Sequence, residues 1–167
     1  MKNDFSADVK QAVKGDTEAF ARLYSLVYKD LYHVALCSLR NPHDASDAVS
    51  DTVIDAYSSI GRLRDEKAFR SWIFKILSVK IKQKQHEYYN SAEELPEDES
   101  LKEDFSFENT ELKEAVGKLD NQSRLILSMS VLGGYTSEEI AEICGLKASS
   151  VRSRIARIKE KLRVELT

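Results

Sequence analysis

The stretch Tyr135-Thr-Ser-Glu-Glu-Ile-Ala-Glu-Ile-Cys-Gly-Leu-Lys-Ala-Ser-Ser-Val-Arg-Ser-Arg-Ile-Ala-Arg-Ile-Lys-Glu-Lys-Leu-Arg163 reads as two helices joined by a tight turn. Thr136 with Glu139 three residues on is a capping-box pattern, which predicts a helix start there. Ile140 and Ile143 fall on its inner face, and Ala141 is small where a second helix must approach. Gly145 suits the turn because it reaches positive φ without a side-chain clash. Ser149 or Ser150 is then expected to cap a second helix with the apolar stripe Val151, Ile155, Ile158 and Leu162. Its other faces carry Arg152, Arg154, Arg157, Lys159, Lys161 and Arg163, opposed by Glu160 alone. A short helix, a glycine turn and a basic second helix form the layout of a helix-turn-helix, which binds duplex DNA. The alternative is a plain helical hairpin with solvated charges. It leaves the agreement of cap, turn and basic face unexplained.

Working outward, the whole chain has 167 residues, 6 Gly, 2 Pro and 32% charged residues, with few alternating β-branched runs. That composition predicts an all-α protein of one domain or two small ones. No apolar run is long enough to span a bilayer and no signal peptide opens the chain, so a cytoplasmic protein without direct membrane insertion is expected. Cys37 and Cys144 are isolated within helical patterns and read as small buried residues, with no metal-ligand set. His33, His43 and His86 are scattered, and neither a nucleophile-base arrangement nor a phosphate loop appears. Neither an enzyme nor a cofactor is therefore expected.

The formal net charge of −3 becomes informative only once the charges are located. Between Glu87 and Glu108 nine acids face Lys102 alone, and both flanks are net basic. Charge distribution matters more than its sum for a nucleic-acid partner. This acidic stretch has no clear period and contains Pro96, so it reads as a flexible linker. The expected domains are residues 1–87 and 109–167, with 88–108 as the tether.

In the first half, a short helix near Phe5 to Lys14 precedes one capped by Asp16, with Phe20, Leu23, Tyr24, Val27, Leu31, Val34 and Ala35 at helical spacing. Asn41-Pro42 should stop it. From about Asp44 to Ile60, Ala45, Ala48, Val49, Thr52, Val53, Ala56, Tyr57 and Ile60 give one buried face. Asp44, Asp47, Asp51 and Asp55 make an acidic stripe on the same helix. Like charges at this spacing repel, and the stripe reads either as a solvated face or as a docking surface for a basic partner. After the connection Gly61 to Lys67, a fourth helix is expected from about Ala68 to Glu87. Phe69, Trp72, Ile73, Ile76 and Val79 can face inward, and Arg70, Lys75, Lys80, Lys82 and Lys84 outward. Interleaved cations and aromatics suit single-stranded DNA; Phe69 reads rather as core, and Trp72 as either. Helices at Glu111–Leu119 and Ser123–Leu132 lead into the opening motif.

These residues together resemble the bacterial RNA polymerase sigma factors of the extracytoplasmic-function group, within the sigma-70 family. The likeness is carried by Gly15-Asp16, Ala19-Phe20, Leu23-Tyr24, Asp44-Ala45-Ser46-Asp47, Ala56-Tyr57 and the run Phe69 to Ile76. In the second half it is carried by Glu138 to Ile143, Val151 to Ile155 and Arg157. The resemblance implies a sigma domain 2 and a sigma domain 4. The stripe Asp44, Asp47, Asp51 and Asp55 would dock on core RNA polymerase. Arg62, Leu63, Arg64, Lys67, Arg70, Trp72, Lys75 and Lys80 would meet the unwound minus-ten element, where a flipped base is held. Ser149, Ser150, Arg152, Ser153, Arg154, Ala156, Arg157 and Lys159 would meet the minus-thirty-five element of promoter DNA. An anti-sigma factor and a stress or envelope regulon are further implications. The chain departs from the family pattern at Ser50-Asp51, Val79, Leu119-Asp120 and Ser149-Ser150. These departures bear on promoter sequence and melting. Competing readings are a helix-turn-helix regulator that never joins polymerase, a protein-interaction module, and a sigma-like module that melts DNA poorly.

Overall fold

A computed structural model of the chain describes residues 5–91 and 110–166, and every regular element in them is helical. After α1 (Ser6–Val13), the Asp16 carboxylate accepts hydrogen bonds from the N–H groups of Glu18 and Ala19 and starts α2 (Thr17–Leu39). Such a cap satisfies backbone donors that the first helical turn leaves without partners. Arg40 ends α2 in the left-handed region, at φ 57. Asn41-Pro42, expected only as a stop, is also the next start. The Asn41 side-chain oxygen accepts from His43 and Asp44, and Pro42 occupies the first turn of α3 (Pro42–Ser59), where its missing N–H costs nothing. Two 3-10 turns, Ile60–Arg62 and Glu66–Ala68, bend the chain into α4 (Phe69–Ser91). Thus α4 runs through the expected boundary at residue 87; residues 92–109, which hold the remainder of the expected acidic linker 88–108, lie outside the described residues.

The second half comprises α5 (Thr110–Gly117), α6 (Asn121–Val131), α7 (Ser137–Cys144) and α8 (Ala148–Leu166). Asp120 caps α6 through the Ser123 N–H at 2.8 Å. Since α8 begins at Ala148, Ser149 and Ser150 lie inside its first turn and do not cap it; Val151 N–H bonds the Lys147 carbonyl at 3.0 Å.

In the first half, Leu23, Val27, Leu31 and Val34 of α2 meet Ala45, Ala48 and Ala56 of α3 and Phe69, Ile73 and Leu77 of α4, all essentially closed to solvent. The alanines let α3 approach closely. Each buried Leu, Ile or Phe contributes about 1.5–3 kcal/mol. The expected inner face of α4 needs correcting: Val79 is 47% exposed, whereas Phe74 and Ser78 are buried. Tyr57 is also half-exposed, its ring set edge-on to Phe20.

The reason lies in the second half, which packs onto the first: α6 lies on α2 and α7 on α4. Ser38 and Ser128 share a hydrogen bond of 3.1 Å, and the buried Arg124 guanidinium donates to the Ser38 carbonyl at 3.2 Å and to Leu119 and Asn121 oxygens. Lys82 Nζ donates to the Cys144 carbonyl at 2.8 Å, and Ser78 Oγ to that of Ile143 at 3.4 Å. The Tyr135 ring lies 5.3 Å from that of Phe74, with the Arg70 guanidinium 4.7 Å above it. A helix covered on two sides has no single apolar stripe for periodicity to find.

Candidate nucleic-acid interface

The helix-turn-helix is built from short-range bonds. Thr136 Oγ1 accepts from the Glu139 N–H at 3.2 Å, and Glu139 returns the bond to the Thr136 N–H at 3.0 Å. Gly145, at φ +71, ends α7 and turns the chain toward α8. Val151 and Ile158 anchor α8 inside, with Ile155 and Leu162 half-buried against the core. That anchoring leaves Ser149, Ser150, Arg152, Ser153, Ala156, Arg157 and Lys159 exposed along the outer face, seven of the eight residues expected there. An open cleft of about 460 Å³ runs between α6 and α8, lined by Gln122, Ile126, Leu146, Ser149, Ser150, Ser153, Arg154 and Arg157.

The arginines of α8 are held before any ligand arrives. Arg152 meets Glu138 of α7 at 2.8 Å, with both side chains more than half exposed. Arg154, the half-buried eighth residue, lies 3.4 Å from the Asp120 carboxylate and 3.2 Å from Ser123 Oγ. Burial would raise the Asp120 carboxyl, but the Ser123 bonds and the Arg154 and Arg124 charges together hold it below the usual range. The departure Leu119-Asp120 thus supplies a helix cap and an arginine partner at once. Gln122 was absent from the expected interface; its position one turn before the buried Ile126 gave no charge or glycine signal.

In the first half the expected residues divide. Arg62, Arg64 and Lys67 are exposed around the two 3-10 turns, and Leu63 is half-buried against the core. Lys75 and Val79 share the open face of α4, while Trp72 is half-buried with its ring 6.1 Å from that of Phe69. Arg70 and Lys80 turn elsewhere. Arg70 bonds Asp30 at 3.2 Å and stacks on Phe74 and Tyr135, and Lys80 meets Asp55 at 2.7 Å with its side chain 19% exposed.

The acidic stripe is correspondingly uneven. Asp55 and Asp47 face Lys80 and Lys84 of α4, the latter pair at 3.7 Å, so the repulsion expected along α3 is partly relieved from a neighbouring helix. Asp51 makes no ion pair among the described residues. Beside it Ile54 is 65% exposed, an apolar side chain in the middle of an acidic face. It lies outside the buried series of α3 and three residues from Asp51, which is the signal that could have found it. Among the described residues no group of three or more His, Cys, Asp or Glu could hold a metal ion, and no helix is long and apolar enough to cross a membrane.

The family model described as Sigma-70 region 2 matches residues 23–84, and that described as Sigma-70, region 4 matches residues 109–162. The ECF RNA polymerase sigma factor SigW of Bacillus subtilis is 29% identical, over 95% of this chain and 94% of its own. Two solved structures share the fold. CnrH, in complex with the cytosolic domain of CnrY, has TM-score 0.75 and 23% identity over 98% of this chain and 97% of its own. The sigma factor RpoE from Bartonella quintana, in complex with the anti-sigma factor NepR, has TM-score 0.72 and 21% identity over 90% and 98%.

Proposed function

Because the chain belongs to the extracytoplasmic-function group of the sigma-70 family of RNA polymerase sigma factors, we propose that it binds core RNA polymerase, directs it to a two-part promoter and assists strand opening, catalysing no covalent step itself. The observation that carries this reading is the presence of both sigma-70 regions in order, each with an open cationic surface. A regulator confined to the helix-turn-helix would leave the first of them without a purpose.

In this reading α8 enters the major groove at the minus-thirty-five element. Arg152, Ser149, Ser150, Ser153 and Ala156 face base edges, and Arg154, Arg157 and Lys159 hold phosphates. Arg62, Leu63, Arg64, Lys67, Trp72 and Lys75 receive the unwound minus-ten strand, where cations follow the backbone and an extruded base can be read on edges hidden in a duplex. Arg70 and Lys80 serve that surface by fixing α4 in place. Asp44, Asp47, Asp51 and Asp55, with Ile54 among them, form the polymerase-docking face. Residues 1–87 and 109–167 act as the two sigma domains with an acidic tether between them. The protein works in the cytoplasm, under an anti-sigma factor, on a stress or envelope regulon. Run-off transcription with core polymerase on a genomic promoter library tests the reading. Promoter-selective transcripts are expected, and core output unchanged on every promoter would refute it.

A further inference from the structure

The first turn of α7 carries two acids, Glu138 and Glu139. Glu139 is committed to the capping box, its carboxylate accepting from the Thr136 N–H at 3.0 Å. Glu138 turns the other way, and its Oε1 accepts from Arg152 Nη1 of α8 at 2.8 Å. An acid is unexpected at this place. The first helix of a helix-turn-helix crosses the DNA backbone, and a helix N-terminus is where a phosphate is favoured. A carboxylate there repels the duplex and lowers affinity. Capping does not account for it, because Glu139 already supplies the reciprocal bond. An acid in the first turn also complements the helix dipole, but that role asks for no partner on α8, and an exposed pair by itself adds little stability.

Its partner supplies the reason. Arg152 lies on the outer face of α8 with its side chain 56% exposed. A free arginine there would move among phosphates, whose contacts carry no sequence information. Held by Glu138, it keeps one orientation, so less rotamer freedom is lost on binding. The bond engages one nitrogen of a guanidinium that has five N–H donors in a rigid fork. The remaining donors can therefore meet guanine O6 and N7 together, the commonest specific contact in the major groove, without breaking the pair. Arg157 differs, because its bond is to the Ser153 carbonyl of its own helix at 3.4 Å. Among the described residues no acid of another helix holds it back from a phosphate.

We propose that Glu138 is a specificity-determining residue of the minus-thirty-five interface: it aims the Arg152 guanidinium at a guanine edge, stays bound to it in the promoter complex, and keeps it off the phosphates. The proposal rests on the promoter-directing function above. Glu138 acts through Arg152 and is a positioning residue, giving up affinity for duplex in general in return for discrimination at one base pair.

Run-off transcription by the holoenzyme, on a promoter library randomised over the minus-thirty-five element, tests this. The parent should favour guanine at one position, a preference that Arg152→Ala removes. Glu138→Ala should lower that preference about fivefold, the low end of what one guanine contact discriminates, with an unchanged unfolding midpoint because the side chain is exposed. Holoenzyme binding to promoters lacking that guanine should tighten at low salt. Its log affinity should fall with log salt more steeply by about 1, as Arg152 joins the phosphates. In an Arg152→Ala chain, Glu138→Ala should add nothing to the preference, the signature of two groups acting as a unit. Should alanine loosen α7, Glu138→Gln has the same length without the charge and the same expected direction. An unchanged preference in both Glu138 variants overturns the proposal, as does a change in preference that persists at full size in the Arg152→Ala chain. So does tighter binding to every promoter alike, which would make Glu138 a source of repulsion only. If the parent itself shows no minus-thirty-five preference, the promoter-directing reading falls and takes this proposal with it. Failure of the proposal alone leaves the parent's preference and the Arg152→Ala loss intact.

Discussion

Two helices, α4 and α8, are written in nearly the same alphabet and are used in opposite ways. Both mix Lys and Arg with Ile and Val. In α4, Arg70 bonds Asp30 beneath Tyr135, Lys80 bonds Asp55, Lys84 pairs with Asp47, and Lys82 bonds the end of α7. In α8, Arg152, Arg157 and Lys159 point to solvent with at most an exposed or local partner. Apart from the exposed Lys75, these cations of α4 hold the molecule together, and those of α8, apart from the half-buried Arg154, are presented outward. A basic helix is therefore no guide to a nucleic-acid surface until burial and partners are known.

The contrast can be broken by experiment, and the largest effect should come from the acidic stripe of α3. Asp51→Lys reverses a stripe residue that makes no ion pair among the described residues, so co-purification with core polymerase should weaken by roughly 100-fold with helicity retained, as for loss of a central interfacial charge pair. Asp55→Lys should instead also destabilise the fold through Lys80. Retained co-purification of the Asp51 variant would refute the docking face. Next, Arg70→Ala removes a charged hydrogen bond and two ring contacts, an expected loss of about 2 kcal/mol in urea unfolding. A normal unfolding midpoint with weakened promoter binding would place Arg70 among the DNA contacts after all. Arg152→Ala should cost ~1–3 kcal/mol of discrimination at one minus-thirty-five position with an unchanged midpoint; the same preference across base variants would remove its reading role. Smallest, Lys159→Ala should weaken binding about equally for all sequences and lower the slope of log affinity against log salt by about 1.

The opening motif was legible because its determinants are local. The capping box spans three residues, Gly145 marks its own turn, and the Val151-to-Leu162 stripe faces one neighbour. The same holds for Asp16 and for the apolar series of α2. What could not be read depends on partners far along the chain. Periodicity puts Val79 inside and omits Phe74 from the inner face, because it cannot show that α7 covers a second side of α4. The sequence leaves Lys80 without a visible partner because Asp55 belongs to another helix, and it presents Arg70 as a DNA contact because Tyr135 is remote along the chain. Ser149 and Ser150 differ in a smaller way: α8 starts at Ala148, so they stand two and three positions past its cap position Lys147, a shift that composition does not resolve.

The seam between the halves also sets a problem during synthesis. Lys82 waits for a carbonyl 62 residues later, and Ser38 for a hydroxyl 90 residues later. At about 5–20 residues per second, a ribosome takes roughly 3–12 s to add the first of those intervals. For that time Phe74 and the end of α2 emerge without the surface that will cover them. The nascent first half must either fold with an apolar face open to solvent or meet a chaperone or polymerase first, so the order of translation itself can decide which partner reaches that face before the chain's own second half does.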